Sequence, residues 1–285
     1  VEVYYLGTFK IITGTQNVTV GENALFSCTT GANKTAIGQA AADAITTANQ
    51  NVAVGGDALG SCITGSANVA VGRNSLLNNT TDNNTACGFE ALRSNTSGAN
   101  NVGVGRDALY HNTTANHNVA IGYNAMNANT TGTQNVAIGN LALDANTTAS
   151  NNTAVGFDAL TACTTANNNT AVGKDALQDC TTGHANVAIG SATLREVTTG
   201  NTNTAVGYAA GLSLTSGTKN TFVGHDAGDS VTDGFHCICI GDNANPSSGS
   251  DQRQIVMGDN AVGKGNRPFF VTSDRGVYNG GNPNT

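Results

Sequence analysis

The sequence predicts an all-β fold, a parallel β-solenoid (a β-roll or β-helix) of about fifteen 17-residue coils. Three observations predict it. A short β-branched triplet closing on glycine recurs along the chain, its spacing is nearly invariant, and the composition is too poor in large apolar side chains for a thick core. The string Asn-[Val/Thr]-Ala-[Val/Ile]-Gly places its glycine at 21, 38, 55, 72, 88, 105, 122, 139, 156, 173, 190, 207, 224, 241 and 258. Thirteen of the fourteen intervals are 17 residues, and the interval from Gly72 to Gly88 is 16. A fixed period of this length is the signature of stacked repeats.

Each column has a physical reading. The residue before the glycine is apolar in every copy, and the residue three before it is Val, Ile or Thr. β-branched residues favour strands, and residues two apart share one face. The sequence therefore makes Val20, Ile37, Val54, Val71, Val104, Ile121, Ile138, Val155, Val172, Ile189 and Val206 a core ladder. Between the two, on the opposite face, most copies carry Ala, as at Ala53, Ala120 and Ala188. A strand apolar on both faces is buried on both. One thin coil covers only one of them, so neighbouring chains are expected to cover the other. Gly55, Gly72, Gly105, Gly122, Gly156 and Gly173 suit corners that need positive φ or close backbone approach.

After the glycine comes x-[Asp/Asn]-Ala-Leu. The acidic or amide residue, as at Asp57, Asp107, Asp158 and Asp175, suits a turn or a one-turn helical cap. The Leu is the main core filler. Seven after the glycine stands a mixed column: Cys28, Ile45, Cys62, Asn79, Asn95, Asn112, Asn129, Asn146, Cys163, Cys180, Val197 and Leu214. Exchange of Asn with Cys, Ile, Val and Leu marks an inward position where stacked amides bond one another. Asn also opens twelve of the fifteen copies, a second candidate ladder at a corner. The missing residue of the short interval falls in the polar turn between Thr81 and Asn84, and loops tolerate deletions better than strands.

Composition narrows the function. The chain of 285 residues has 36 Gly, 3 Pro, no Trp and 11% charged residues. Its 12 Lys and Arg against 19 Asp and Glu leave a formal charge of −7, which argues against a nucleic-acid partner. No apolar run approaches the roughly 20 residues of a membrane span. The seven cysteines form neither paired metal motifs nor a disulfide framework. Cys163 and Cys180, in one column of successive coils, are read as stacked thiols filling the core, with a disulfide as the lesser alternative. Asp158 and Asp175 are read as turn residues rather than a cation site. His111, His117, His184, His225 and His236 share no metal spacing and are expected at surfaces or corners. The sequons at Asn112 and Asn146 are read as by-products of the repeat. No catalytic residue, metal or cofactor is expected.

The segment Asn152-Thr153-Ala154-Val155-Gly156-Phe157-Asp158-Ala159-Leu160 and its copies resemble the NTAVGxxAL repeats of phage and large-virus tail-fibre proteins. More distantly, Asn118-Val119-Ala120-Ile121-Gly122 resembles the head repeats of trimeric autotransporter adhesins. The resemblance implies a left-handed, homotrimeric shaft at 17–262, flanked by junctions at 1–16 and 263–285. It implies a structural fibre on a virion or in the extracellular space that supports host attachment. Its partners would be its own copies, other fibre or virion components at both ends, and a host surface glycan or protein. The alternatives are a bacterial surface adhesin segment that binds host matrix or glycan, and a self-associating or ice-binding surface protein.

Overall fold

A computed structural model describes residues 14–250 and 252–263, together with the backbone of 270–271. The expected junctions at 1–16 and 263–285 lie outside these residues, except for 14–16, 263 and 270–271. The chain divides into two compact units, Val1–Asn152 and Thr153–Thr285.

The first unit holds β1 (Val18–Val20), β2 (Thr35–Ile37), β3 (Val52–Val54), β4 (Val69–Val71), β5 (Thr85–Cys87), β6 (Val102–Val104), β7 (Val119–Ile121) and β8 (Val136–Ile138). They pair in parallel, each with the next, from Val18 opposite Thr35 to Ile121 opposite Ile138. The second unit holds β9 (Thr153–Val155), β10 (Thr170–Val172), β11 (Val187–Ile189), β12 (Thr204–Val206), β13 (Thr221–Val223), β14 (Ile238–Ile240), β15 (Ile255–Met257) and β16 (Phe270–Val271). The same parallel succession runs through it. Each unit is a parallel β-solenoid, and there is no helix among the described residues.

Registers equal the repeat. Across the short interval Val69 still faces Thr85, so the turn absorbs the missing residue. Hydrogen bonds join coils well beyond the three-residue strands. In the coil of Gly122 the amides of His117, Val119, Gly122, Asn124, Met126, Ala128 and Thr130 all donate to carbonyls of adjacent coils at 2.8–3.2 Å. Backbone polar groups are thus satisfied along the axis.

The interior is thin and well filled. The strand Ala is fully buried, as at Ala53, Ala120 and Ala188. Leu59, Leu92, Leu109, Leu143, Leu160 and Leu177 fill the rest. These two columns decide the orientation of the strand. Where a Leu fills the turn column, as in nine of the fifteen coils, the strand's inward face holds a residue no larger than Thr.

The ladder from Val20 to Val206 therefore turns outward, which corrects the reading of it as the chain's own core. Val20, Ile37, Ile121, Ile138, Ile189 and Val206 are exposed, and Val54, Val71, Val104, Val155 and Val172 are half-buried.

Of the two forms expected after the glycine, a turn or a one-turn helical cap, the segment takes the turn, as tandem turns. Ala125, Asn127 and Asn129 donate to the carbonyls of Gly122, Asn124 and Met126 at 3.3–3.4 Å. Two residues per coil are left-handed there, as Asp107 (φ 57°) and Leu109 (φ 54°) show. Asp suits that conformation, whereas Leu is held in it against its preference.

The corner glycines meet both conditions at once. Gly38 has φ 134°, and a Cβ there would stand 2.5 Å from the Gly55 carbonyl oxygen of the next coil.

Candidate assembly surface

Two polar columns lock the interior, and both are amide ladders. At the corner before most strands an Asn amide is satisfied at both ends. The Asn118 backbone N–H donates to Asn101 Oδ1 at 3.0 Å, and Asn118 Nδ2 donates to the Gly132 carbonyl at 2.8 Å. The second ladder runs through the first unit. Asn95, Asn112, Asn129 and Asn146 each donate from Nδ2 to the preceding Asn Oδ1, at 2.7, 2.8, 2.9 and 2.8 Å. These asparagines are fully buried, so Asn112 and Asn146 cannot present their sequons to modifying enzymes in the folded chain.

Lys34 takes an Asn position in the corner ladder. It is 1% exposed, and its Nζ donates to the Ala48 carbonyl at 3.0 Å.

Six cysteines are buried free thiols and Cys87 is exposed. Cys163 and Cys180 donate to the carbonyls of Ala166 and Gly183 at 3.4 and 3.3 Å. Burial, reinforced by the neighbouring Cys180, pushes the Cys163 thiol up to about 12.

Asp158 and Asp175 stand in the turn column. Burial first, then the charge of Asp175, raises the Asp158 carboxyl. Lys174 lies 3.5 Å from Asp175. Among the described residues no group of three or more His, Cys, Asp or Glu side chains could hold a metal ion. All five His are exposed. His117 and His236 occupy left-handed corners, and His184 Nδ1 accepts the Asn167 N–H at 2.9 Å.

The polar turn carries a Thr column. Thr113 and Thr130 donate their hydroxyls to the carbonyls of Thr130 and Thr147 at 3.1 and 3.0 Å. The adjacent Thr114, Thr131 and Thr148 are exposed.

The outward strand face is left open to solvent. In all fifteen coils its two positions hold only Val, Ile, Thr, Cys or Met, with no charged residue. Exposure reaches 54% at Val20 and 41% at Ile189. Rings extend the face where the residue after the glycine is Phe89, Tyr123, Phe157 or Tyr208, all exposed. The Arg106 guanidinium sits between two of these rings, 5.6 Å from the Phe89 centroid and 5.9 Å from that of Tyr123. Cys87 belongs to this face in place of Val or Ile. Sequence alternation separates this face from the Ala face, and the volumes of Ala and Leu decide which of the two points in.

No family model, curated protein or solved structure matches this chain. No helix among the described residues is long and apolar enough to cross a membrane.

Proposed function

We propose that this chain is a non-catalytic structural segment of a homo-oligomeric fibre, a shaft on a virion or in the extracellular space that supports host attachment. The observation that carries this reading is the outward strand face: uncharged in every coil, and built of Val, Ile and Thr except at Cys87 and Met257. Two half-exposed side chains per coil leave on the order of 100 Å² open. Each unit then presents on the order of 800 Å², the scale of one partner's share in a stable interface. Contiguous apolar surface of this size marks an interaction site.

A second copy of the same chain fits it best. Its own outward face repeats at the same coil spacing of about 4.8 Å, so ridges and grooves coincide along the whole contact. Packing three copies around an axis is the arrangement the tail-fibre resemblance implies. The amide ladders and the stacked glycines suit a load-bearing part, because within each unit they fasten successive coils together.

Cys87 supplies the test. It is the exposed cysteine of the seven and lies on the proposed contact face. A short bismaleimide should link two chains through Cys87, and Cys87→Ser should abolish the product. Absence of linked chains at protein concentrations of tens of micromolar would count against this face as the contact.

A further inference from the structure

The outward face has two edges, and in the coils of Gly224, Gly241 and Gly258 they differ in charge. The left-handed residue five before the glycine borders the face on one side. The residue just after the glycine borders it on the other. On the first edge, three successive coils carry Lys219, His236 and Arg253, all exposed, with φ 58°, 58° and 57°. In the other twelve coils this position holds Gln, Asn, Ala, Thr or His117. On the second edge the same three coils carry His225, Asp242 and Asp259, with Asp226 beside His225. His225 Nδ1 lies 3.1 Å from Asp226 Oδ2 and 3.1 Å from Asp242 Oδ1. Asp259 Oδ1 accepts from Asn260 Nδ2 at 2.8 Å. Among the described residues no ion pair joins Lys219, His236 or Arg253 to a carboxylate.

The like charges of Lys219 and Arg253, two coils and about 9.6 Å apart in one column, repel one another. A lone chain leaves that repulsion in place. It is relieved when an acidic column approaches from outside. The acidic column of the same face lies on the far edge, out of reach within one chain.

We propose that copies of this chain dock edge to edge, with axes parallel. The Lys219, His236 and Arg253 edge of one copy then meets the Asp226, Asp242 and Asp259 edge of its neighbour. This rests on the homo-oligomer reading above and adds orientation and register to it. Each copy gives its basic edge to one neighbour and its acidic edge to the other, which is a heterologous contact that closes into a ring. Closure forbids an axial offset, so equal coils face one another. An antiparallel pair centred on these coils would set base against base.

Charge reversal tests the pairing. Asp242→Lys with Asp259→Lys reverses one edge, and Lys219→Glu with Arg253→Glu reverses the other. Each two-site variant should raise the dissociation constant at least about tenfold at low salt, and the four-site variant should restore it to within about threefold. Two-site variants that associate as the native chain does would overturn the pairing while leaving the homo-oligomer standing. A native chain that stays monomeric would remove both.

A second measurement does not depend on the fold of those variants. In a Cys87→Ser background, chains carrying His236→Cys and chains carrying Asp242→Cys are co-expressed and mildly oxidised. Disulfides should join unlike chains. Disulfides joining two His236→Cys chains instead would overturn the parallel arrangement.

Discussion

The Phe222 ring fills the space that Gly228 leaves empty in the same coil. Phe222 replaces the small inward Ala of the strand, and it is fully buried. Gly211 and Gly228 stand where other coils carry Leu. A Cβ on Gly211 would lie 2.6 Å from Phe222 Cδ2, and one on Gly228 would meet Cδ1 closer still. One large residue on the strand and two glycines in the turn column thus exchange volume with Ala and Leu.

That exchange predicts coupling. Gly228→Leu alone should cost about 1–3 kcal/mol through overpacking against the ring. Phe222→Ala combined with Gly211→Leu and Gly228→Leu rebuilds the common pattern and should recover most of the loss. Urea denaturation of the single, double and triple variants measures the non-additivity. Additive effects would contradict the shared volume.

Asn112 should be among the most sensitive polar positions. It donates to Asn95 Oδ1 and to the Ala115 carbonyl, and it accepts from Asn129. Asn112→Val keeps an apolar filler of the kind Val197 provides, yet it leaves the buried Asn95 oxygen short of a donor. The expected loss is about 1–3 kcal/mol. Thermal denaturation would show it, and an unchanged midpoint would deny the ladder its role.

Lys34 points the other way. Its ammonium reproduces the donor of an Asn to the Ala48 carbonyl and offers no acceptor to the Asn51 N–H one coil on. Lys34→Asn should restore that acceptor and remove a buried charge, stabilising the first unit by about 1–2 kcal/mol. A lower unfolding midpoint would contradict this.

Much of this architecture is legible in the residues. The glycine period defines the coils. Exchange of Asn with Cys and Ile identifies the inward ladder, and the placement of the deletion identifies the turn. Two features are not legible. Left-handed Leu109 and its equivalents contradict local preference, because packing of the side chain into the core overrides it. The outward turn of the Val and Ile ladder is hidden as well. Alternation groups Ile121 with Val119 but carries no sign, and only the combined volume of Ala120 and Met126 settles which face is inside.

The buried thiols predict a limit at alkaline pH. Burial pushes Cys62 and Cys180 up to about 11, and Cys163 and Cys239 up to about 12, from an ordinary value of 9.0. The folded chain holds these protons more tightly than the unfolded one. Stability is therefore complete below pH 9 and falls as pH rises from 9 towards 11 and 12. Each of these thiols withdraws on the order of 1 kcal/mol per pH unit in that window. Replacing Cys163 and Cys180 with Val, as at Val197, should flatten the decline. A variant as alkali-sensitive as the native chain would exclude these two thiols as the cause.

Ile121 and Ala120 separate the two faces of one strand. Ala120→Glu places a charge in the chain's own interior and should unfold its coils. Ile121→Asp changes only the outward face. It should keep β-rich circular dichroism while weakening association. Equal disruption of secondary structure by both would show that the outward face is needed for folding itself.

The most direct test of the account is the molar mass of the native chain in solution, followed by light scattering over a hundredfold range of concentration. Apolar strand faces covered by sister chains predict a small integral multiple of the chain mass that persists on dilution. A stable, soluble monomer with Val20, Ile121 and Ile189 open to water would contradict it.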